Sequence, residues 1–149
     1  MKKITLLLTI LFLISCSSEN DCGCVNIETN IDIALKDNNG NYLINTSNYP
    51  KNNIQVKYVI NGTIQNPKNG EGPIFIDDTN LPTRIRIFLN NTSTEEYPIT
   101  YVKWNDTDTD TIKSHFIRGN NSTILDKIWI NNSLVTNFQE LGRYINLEK

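Results

Sequence analysis

The chain has 149 residues, of which 14 are Lys or Arg and 16 are Asp or Glu, so its formal net charge is −2. This length suits a single domain with a substantial core. The mildly acidic balance argues against nucleic acid as a partner, because binding to phosphates needs a basic surface.

The first element is a secretory signal. Lys2 and Lys3 precede an almost uninterrupted apolar run over residues 4–14, which is shorter than the roughly 20 residues that a membrane-spanning helix needs. The run ends in LISC at residues 13–16, which resembles the bacterial lipobox, whose Cys is lipidated. We therefore predict a signal peptide over residues 1–15, a lipidated Cys16 and anchoring in the outer membrane. The alternatives are a retained signal anchor and a Cys that stands at this position by chance.

Removal of the signal peptide takes away Lys2 and Lys3 and leaves 12 basic against 16 acidic residues. Membrane attachment then depends on the lipid and not on a basic patch. Residues 16–25 are polar and predict a flexible tether, followed by a single domain over residues 26–149. Cys22 and Cys24 lie in this tether, where a strained local disulfide, two free thiols, intermolecular pairing and a redox role all stay open.

Alternation of apolar and polar residues, which is typical of strands, runs through the domain. It first covers residues 27–35 and is followed by a turn and a short strand at residues 42–44. Alternation over residues 54–60 then meets Asn61-Gly62, the strongest short-range signal for a two-residue hairpin turn, and residues 63–65 lead back. We expect positive φ at both Asn61 and Gly62.

Further strands are predicted at residues 73–76, 84–89, 99–104, 112–117, 124–130 and 144–147. Turn-forming residues separate them at intervals of about ten residues, which is typical of a sandwich. We predict an all-β fold, namely an immunoglobulin-like antiparallel β-sandwich of seven to nine strands. A small β-barrel is the alternative.

Two aromatic residues and two arginines are candidates for a binding surface. Tyr101 alternates with Val102, and Trp129 alternates with isoleucines, so both rings face outward if the isoleucine face is the core. Exposed rings can stack on a sugar or on a protein, whereas Trp104 is predicted to lie in the core. Arg84 and Arg86 share an outward face, either as solvated charges or as receptors for an acidic partner.

Residues 104–113, WNDTDTDTIK, carry three Asp residues with the spacing of the first ligands of an EF-hand loop. That loop needs Gly where Thr111 stands and Glu where Ile117 stands, and strand patterns flank the stretch. We therefore predict a hairpin with its tip within residues 105–109, a strand resuming near Asp110, and neither metal nor cofactor. Residues 110–112 also resemble the Asp-Thr-apolar motif of O-glycosylation in exported Bacteroidota proteins, which implies a glycan on Thr111.

The sequence shows no catalytic constellation. His115 is the only histidine, and alternation places it on the solvent-facing side of its strand. One histidine cannot supply a metal cluster, and no Ser or Cys lies in a nucleophile motif. We therefore predict that the protein is not an enzyme.

The alternation over residues 124–130 places Leu125 on the same face as Trp129.

Six segments together resemble small Bacteroidota outer-membrane lipoproteins with an immunoglobulin-like sandwich. They are the lipobox, the acidic tether, IALKDNNGNYLIN, the Asn-Gly hairpin, ITYVKW and IWINN. The resemblance implies fold and location and brings no active site. Residues 19–21 resemble the signals that send such lipoproteins to the cell surface, so the surface and the periplasmic face both stay open. We favour a non-catalytic binding module for a glycan or a protein. A structural or assembly component of the envelope or a pilus is the alternative, and an enzyme ranks last.

Overall fold

The computed structural model describes the chain from the beginning of the predicted domain onward. The described residues are 25–68, 70–92, 94–136, 138 and 140–149. The predicted signal peptide and Cys16, Cys22 and Cys24 lie outside them, as does nearly all of the predicted tether.

The described chain forms two β-sheets that pack face to face. The larger sheet contains β1 (Asn26–Glu28), β3 (Gln55–Ile60), β4 (Thr63–Gln65), β7 (Ile99–Lys103), β8 (Thr109–Gly119), β9 (Ser122–Ile130) and β10 (Ser133–Leu134). The smaller sheet contains β2 (Asn30–Lys36), β5 (Ile74–Ile76), β6 (Arg84–Phe88) and β11 (Tyr144–Glu148). One 3-10 turn, over Lys51–Asn53, occurs among the described residues.

The strand order is β1-β9-β8-β7-β3-β4 in the larger sheet, where β10 also pairs with β9, and β11-β2-β6-β5 in the smaller one. Both sheets are mixed, because β1 runs parallel to β9 and β11 runs parallel to β2. The predicted antiparallel pairing is wrong for these two pairs, since alternation reports the face of a residue and not the direction of the neighbouring strand. Neither sheet closes on itself within the described chain, so the fold is an all-β sandwich of two layers and not a barrel.

The first predicted strand, residues 27–35, is two strands in different sheets. The chain passes from the larger sheet to the smaller one at Thr29, which is buried and whose carbonyl oxygen accepts the Leu89 N–H at 2.9 Å. Alternation continues through the crossing, so the sequence pattern does not reveal it. This split and the two-residue strand β10 contribute to a count of eleven strands in the described chain, above the seven to nine predicted.

The short strand predicted at residues 42–44 is absent from the described structure. Tyr42 makes only an isolated bridge to Lys36, and Ile44 is buried within a turn. The carboxylate of Asp37 accepts the Asn41 N–H at 2.8 Å. A side chain therefore closes this connection where a strand would need a ladder of backbone bonds.

One hydrophobic core lies between the sheets. Its main members are Ile31, Ile33, Leu35, Val56, Tyr58, Ile85, Ile87, Leu89, Val102, Trp104, Ile112, Phe116, Leu125, Ile128, Ile130 and Ile145. The prediction that Trp104 lies in the core is confirmed, because its surface is 0% exposed. Tyr58 is also buried, and its hydroxyl donates to the Phe88 carbonyl oxygen at 2.9 Å, so its polar group is satisfied.

Both predicted hairpin tips are confirmed. Asn61 and Gly62 have φ of 51° and 74°, the combination that matches the twist of a two-residue hairpin. The second tip lies at residues 105–107 between β7 and β8, and the strand resumes at Thr109.

A β-bulge interrupts the pairing of β8 with β9. His115 pairs with Lys127, but Phe116 pairs with Leu125, so Asp126 is the extra residue of β9 at this point. An extra residue reverses the alternation of a strand. Leu125 is consequently buried while Trp129 faces outward, and the prediction that these two residues share a face is wrong.

Candidate functional site

The four residues predicted to form a binding surface lie on opposite sides of the sandwich. Arg84 and Arg86 are on the outer face of the smaller sheet, where they alternate with core residues of β6. Tyr101 and Trp129 are on the outer face of the larger sheet. The structure therefore divides the predicted surface into two separate candidates.

The outer face of the smaller sheet carries a shallow groove of about 340 Å³. Its lining residues are Tyr42, Leu81, Pro82, Arg84, Leu141, Tyr144 and Asn146. The apolar part of this lining is open to solvent, since Tyr42 is 42% exposed and Leu141 is 61% exposed. A mainly apolar lining with a few polar groups is typical of sites for small ligands.

The groove lies where outward-facing residues of β6 and β11 meet the connections of the smaller sheet. Asn146 of β11 pairs with Ala34 of β2, and β6, which carries Arg84, lies on the other side of β2. Ala34 itself is fully buried between these two strands. The connections that follow β2, precede β6 and precede β11 supply the walls.

Two cations give the groove and its rim a positive charge. The Arg84 guanidinium lies over the Tyr144 ring, 5.9 Å from its centroid, and Lys36 Nζ lies 4.8 Å from the centroid of Tyr42. Among the described residues, Arg84 pairs with no carboxylate, and its buried Nε has no hydrogen-bond partner. Cations stacked on rings in this way keep their charge available to an anion.

Arg86, by contrast, is already paired within the chain. Its Nε and Nη2 donate to the two carboxylate oxygens of Asp32 at 2.7 and 2.9 Å. These hydrogen bonds raise the pKa of Arg86. A bidentate pair of this kind, with the Asp32 side chain only 11% exposed, stabilises the sheet surface and leaves Arg84 as the arginine available to a ligand.

The tyrosines present neutral polar groups to the groove. Burial, more than the nearby charges, raises the pKa of Tyr144. Its hydroxyl donates to Oδ1 of Asn146 at 3.1 Å. The phenol and the amide together offer hydrogen-bonding groups beside the Arg84 guanidinium.

The outer face of the larger sheet carries an apolar row that crosses six strands. The row follows directly paired residues from β4 to β10, in the order Ile64, Val59, Ile99, Lys113, Trp129 and Leu134. Five strand spacings give it a length of about 24 Å. Its ends are the most open part, since Ile64 is 62% and Leu134 is 53% exposed. Lys113 is its one charged member.

Trp129 lies in this row within an aromatic cluster. The rings of Tyr97 and Trp129 form a T-shaped contact at a centroid distance of 5.7 Å, and Lys113 Nζ lies 4.7 Å from the Trp129 centroid. Tyr101 lies on the same face beside the row, since it pairs with Thr111. The structure therefore brings Trp129 and Tyr101 onto one surface, with Lys113 packed over the indole.

His115 lies partly exposed on the outer face, as alternation predicted. Its Nδ1 is 2.9 Å from Oδ2 of Asp126, the residue that the bulge inserts. Their side chains are 28% and 25% exposed. Among the described residues, no three His, Cys, Asp or Glu side chains gather closely enough to hold a metal ion.

The three Asp residues of WNDTDTDTIK all accept hydrogen bonds from lysine side chains of the chain. Asp106 accepts from Lys103 Nζ at 2.7 Å, at the exposed tip. Asp108 and Asp110 both accept from Lys149 Nζ, at 2.8 and 2.6 Å. Asp110 is buried and also accepts from Trp104 Nε1 at 2.6 Å. The carboxylates at the positions of an EF-hand's first ligands thus already accept hydrogen bonds from lysine amines and an indole N–H.

Thr111, the residue that the motif resemblance selects for a glycan, is half-buried on the outer face of β8. Its backbone N–H donates to Oδ1 of Asn131 at 3.0 Å. Asp110, the acidic residue of the same motif, faces the opposite way and is 2% exposed.

Sequence reasoning missed most of the groove. Tyr144 carried a usable signal, because it alternates with the apolar Ile145 and must face outward. Tyr42, Leu81 and Leu141 lie in connections, where alternation gives no information on which side chains meet.

Protein-family models, curated proteins and solved structures offer no match to this chain. Among the residues that the structure describes, no helix is both long and apolar enough to cross a bilayer.

Proposed function

We propose that the protein is a non-catalytic binding module that recognises a carboxylate-bearing sugar of a glycan in the groove of its smaller sheet. The observation that carries this proposal is Arg84, a groove arginine that pairs with no carboxylate among the described residues. The planar guanidinium matches a carboxylate with parallel hydrogen bonds. A carboxylate on the ligand would supply the partner that Arg86 finds in Asp32.

The rest of the groove suits a sugar ring. Tyr42 and Tyr144 offer flat faces for the apolar C–H side of a pyranose, and Asn146 offers an amide for its hydroxyl groups. Lys36 adds a second positive charge beside Tyr42. Because the mature chain is net acidic, attraction of an anionic ligand would depend on these local cations.

A glycan array tests this function. Glycans that contain uronic acids should bind, whereas the same glycans with the carboxyl group reduced to an alcohol should bind much more weakly. Equal binding to both sets would contradict the role of Arg84. An absence of binding to every acidic glycan would contradict the function itself.

A second candidate function is docking to an envelope protein, as part of a structural or pilus-associated assembly. The apolar row on the larger sheet favours it, because contiguous exposed apolar surface marks interaction sites. Leu134→Lys, inside the row, should abolish cross-linking to a stoichiometric envelope partner. Ile117→Lys, equally exposed but outside the row, should preserve it. Equal cross-linking by both variants would exclude the row as the docking surface.

We further propose that the chain is a small Bacteroidota outer-membrane lipoprotein whose sandwich is immunoglobulin-like. The LISC junction, the acidic tether and the two-layer fold support this. Cys16→Ala should yield an uncleaved or soluble form. Normal processing of that variant, with continued recovery in the outer membrane, would show that Cys16 is not the anchor.

Thr111 remains the proposed site of an O-glycan. The partly exposed outward position of Thr111 supports it. The tryptic peptide of residues 104–113 from the native host should carry excess mass that disappears in Thr111→Ala. An unmodified peptide would rule the glycan out.

A further inference from the structure

A lysine, an asparagine and an aspartate meet at the base of the β7–β8 hairpin. Lys149 Nζ lies 2.6 Å from Oδ2 of Asp110, and Asn131 Nδ2 lies 2.6 Å from Oδ1 of the same carboxylate. One carboxylate therefore bridges an amine and a primary amide. The Asp110 side chain is 3% exposed and that of Lys149 is 12% exposed, so water has little access to the bridge.

The Asn131 amide is fixed from both ends. Its Oδ1 accepts the Thr111 N–H at 3.0 Å, and its own backbone N–H donates to the Thr111 carbonyl oxygen at 2.9 Å. The first bond places a backbone donor on the oxygen that would gain negative charge if a nucleophile attacked Cγ. This is the role of an oxyanion-hole donor.

The amine and the carboxylate are fixed as well. The backbone N–H of Lys149 donates to the Lys36 carbonyl oxygen at 2.8 Å, and its Nζ also contacts Oδ1 of Asp108 at 2.8 Å. Trp104 Nε1 donates to Oδ2 of Asp110 at 2.6 Å, and Lys149 Nζ is 5.8 Å from the Trp104 ring centroid. The amine and the amide are thus each hydrogen-bonded to the Asp110 carboxylate before any reaction, and positioning of reactants in this way lowers the entropic cost of attack.

We propose that Lys149 and Asn131 form an intramolecular isopeptide bond, with Asp110 as the proton relay. Asp110 first accepts a proton from Lys149, which frees the lone pair of Nζ. Nζ then attacks Cγ of Asn131, so a Cγ–Nζ bond forms and the Cγ–Nδ2 bond breaks. Two protons leave the lysine nitrogen, and Asp110 passes them to the departing nitrogen, which leaves as ammonium. No further reactant is needed. The chain loses the mass of ammonia, about 17 Da.

The bond would join the two sheets covalently. Lys149 directly follows β11 of the smaller sheet, and Asn131 directly follows β9 of the larger one. Closing the chain between residues 131 and 149 restricts the unfolded state, as a disulfide does. Unlike a disulfide, an amide bond contains no S–S bond that a reductant could open.

Tryptic peptide mapping of the full chain, purified from cells and denatured, tests the proposal. Cleavage after Lys127 and Arg143 releases residues 128–143 and a peptide that begins at Tyr144. The bond should hold these two peptides together at their summed mass less about 17 Da, with fragment ions that place the link on Asn131 and Lys149. Two separate, unmodified peptides in the wild-type protein overturn the proposal.

Variants separate the bond from other losses of ammonia. Lys149→Arg keeps the positive charge beside Asp108 and Asp110, but its guanidinium does not acylate, so the peptides should separate. Asn131→Gly removes the amide and tolerates the φ of 49° at this position, and it should also abolish the link. Asn132→Gly, the matched control at φ 69° in the same turn, should keep it.

Two other outcomes overturn the proposal. One is a loss of about 18 Da that joins Lys149 to Asp108 or Asp110, because water and not ammonia has then been released. The other is a loss of about 17 Da that persists in Lys149→Arg, which would indicate a succinimide, for example at Asn61-Gly62.

Discussion

Trp104 donates its indole N–H to Oδ2 of Asp110 at 2.6 Å, and both side chains are buried. This bond connects the apolar core to the polar network under the β7–β8 hairpin. Asp110 also accepts from Lys149 and Asn131, so it satisfies three donors at once. The stretch of residues 104–113, which resembles a calcium loop in sequence, therefore forms a network of hydrogen bonds within the fold.

Asp110→Ala should destabilise the protein by about 2–3 kcal/mol, because it leaves the buried indole N–H of Trp104 without an acceptor and removes one of the two carboxylates beside Lys149. Chemical denaturation measures the change. Asp106→Ala is the control from the same stretch, since its side chain is 88% exposed, and it should change stability by less than about 0.5 kcal/mol. Similar losses in the two variants would contradict the central place of Asp110.

Gly62→Ala should lower the free energy of unfolding by about 1 kcal/mol, because an alanine resists the φ of 74° in this turn. A methyl group there would meet no atom within 4 Å, so the cost is one of backbone conformation alone. Gly72→Ala is the matched control, since it has equal space and no positive φ. Equal melting midpoints for the two variants would argue against the turn.

The buried hydroxyl of Tyr58 predicts sensitivity to alkali. Burial, with a smaller effect of Glu71, raises the pKa of Tyr58 far above its ordinary value. Above pH of about 10, the unfolded chain loses a proton that the folded chain keeps, so stability falls by up to about 1.4 kcal/mol per pH unit.

This prediction is checked by urea denaturation of the wild type and of Tyr58→Phe at several pH values between 9 and 11. The variant should lose about 1 kcal/mol at neutral pH, where the bond to the Phe88 carbonyl oxygen is missing, but its stability should decline less steeply with pH. Tyr42→Phe, which alters an exposed ring, should keep the wild-type slope. Identical slopes in all three proteins would contradict the prediction.

The sequence predicts local features of this fold well. Ile85, Ile87 and Leu89 are all at most 1% exposed, as their alternation required, and Asn61-Gly62 forms the predicted turn. These features depend on neighbouring residues, whose geometry the pleat and the turn determine.

What the sequence did not predict depends on distant contacts or on a single inserted residue. The bulge at Asp126 changes the face of Leu125, and no residue type marks it in advance. Tyr42, Arg84 and Tyr144 meet in the groove only because β2 lies between β11 and β6 in the smaller sheet. Likewise, Asp110 finds Lys149 across 39 residues of chain.

The most direct test of the proposed function is calorimetric titration of the wild type and of Arg84→Gln with a uronic acid oligosaccharide. The wild type should bind, and Arg84→Gln should bind at least about tenfold more weakly, because a charge-assisted hydrogen bond contributes about 1.5–3 kcal/mol. Tyr42→Ala should also weaken binding. Tyr97→Ala should leave binding unchanged, because the Tyr97 ring is likewise 42% exposed but lies on the opposite face. Unchanged affinity in Arg84→Gln, or a loss in Tyr97→Ala alone, would contradict the account.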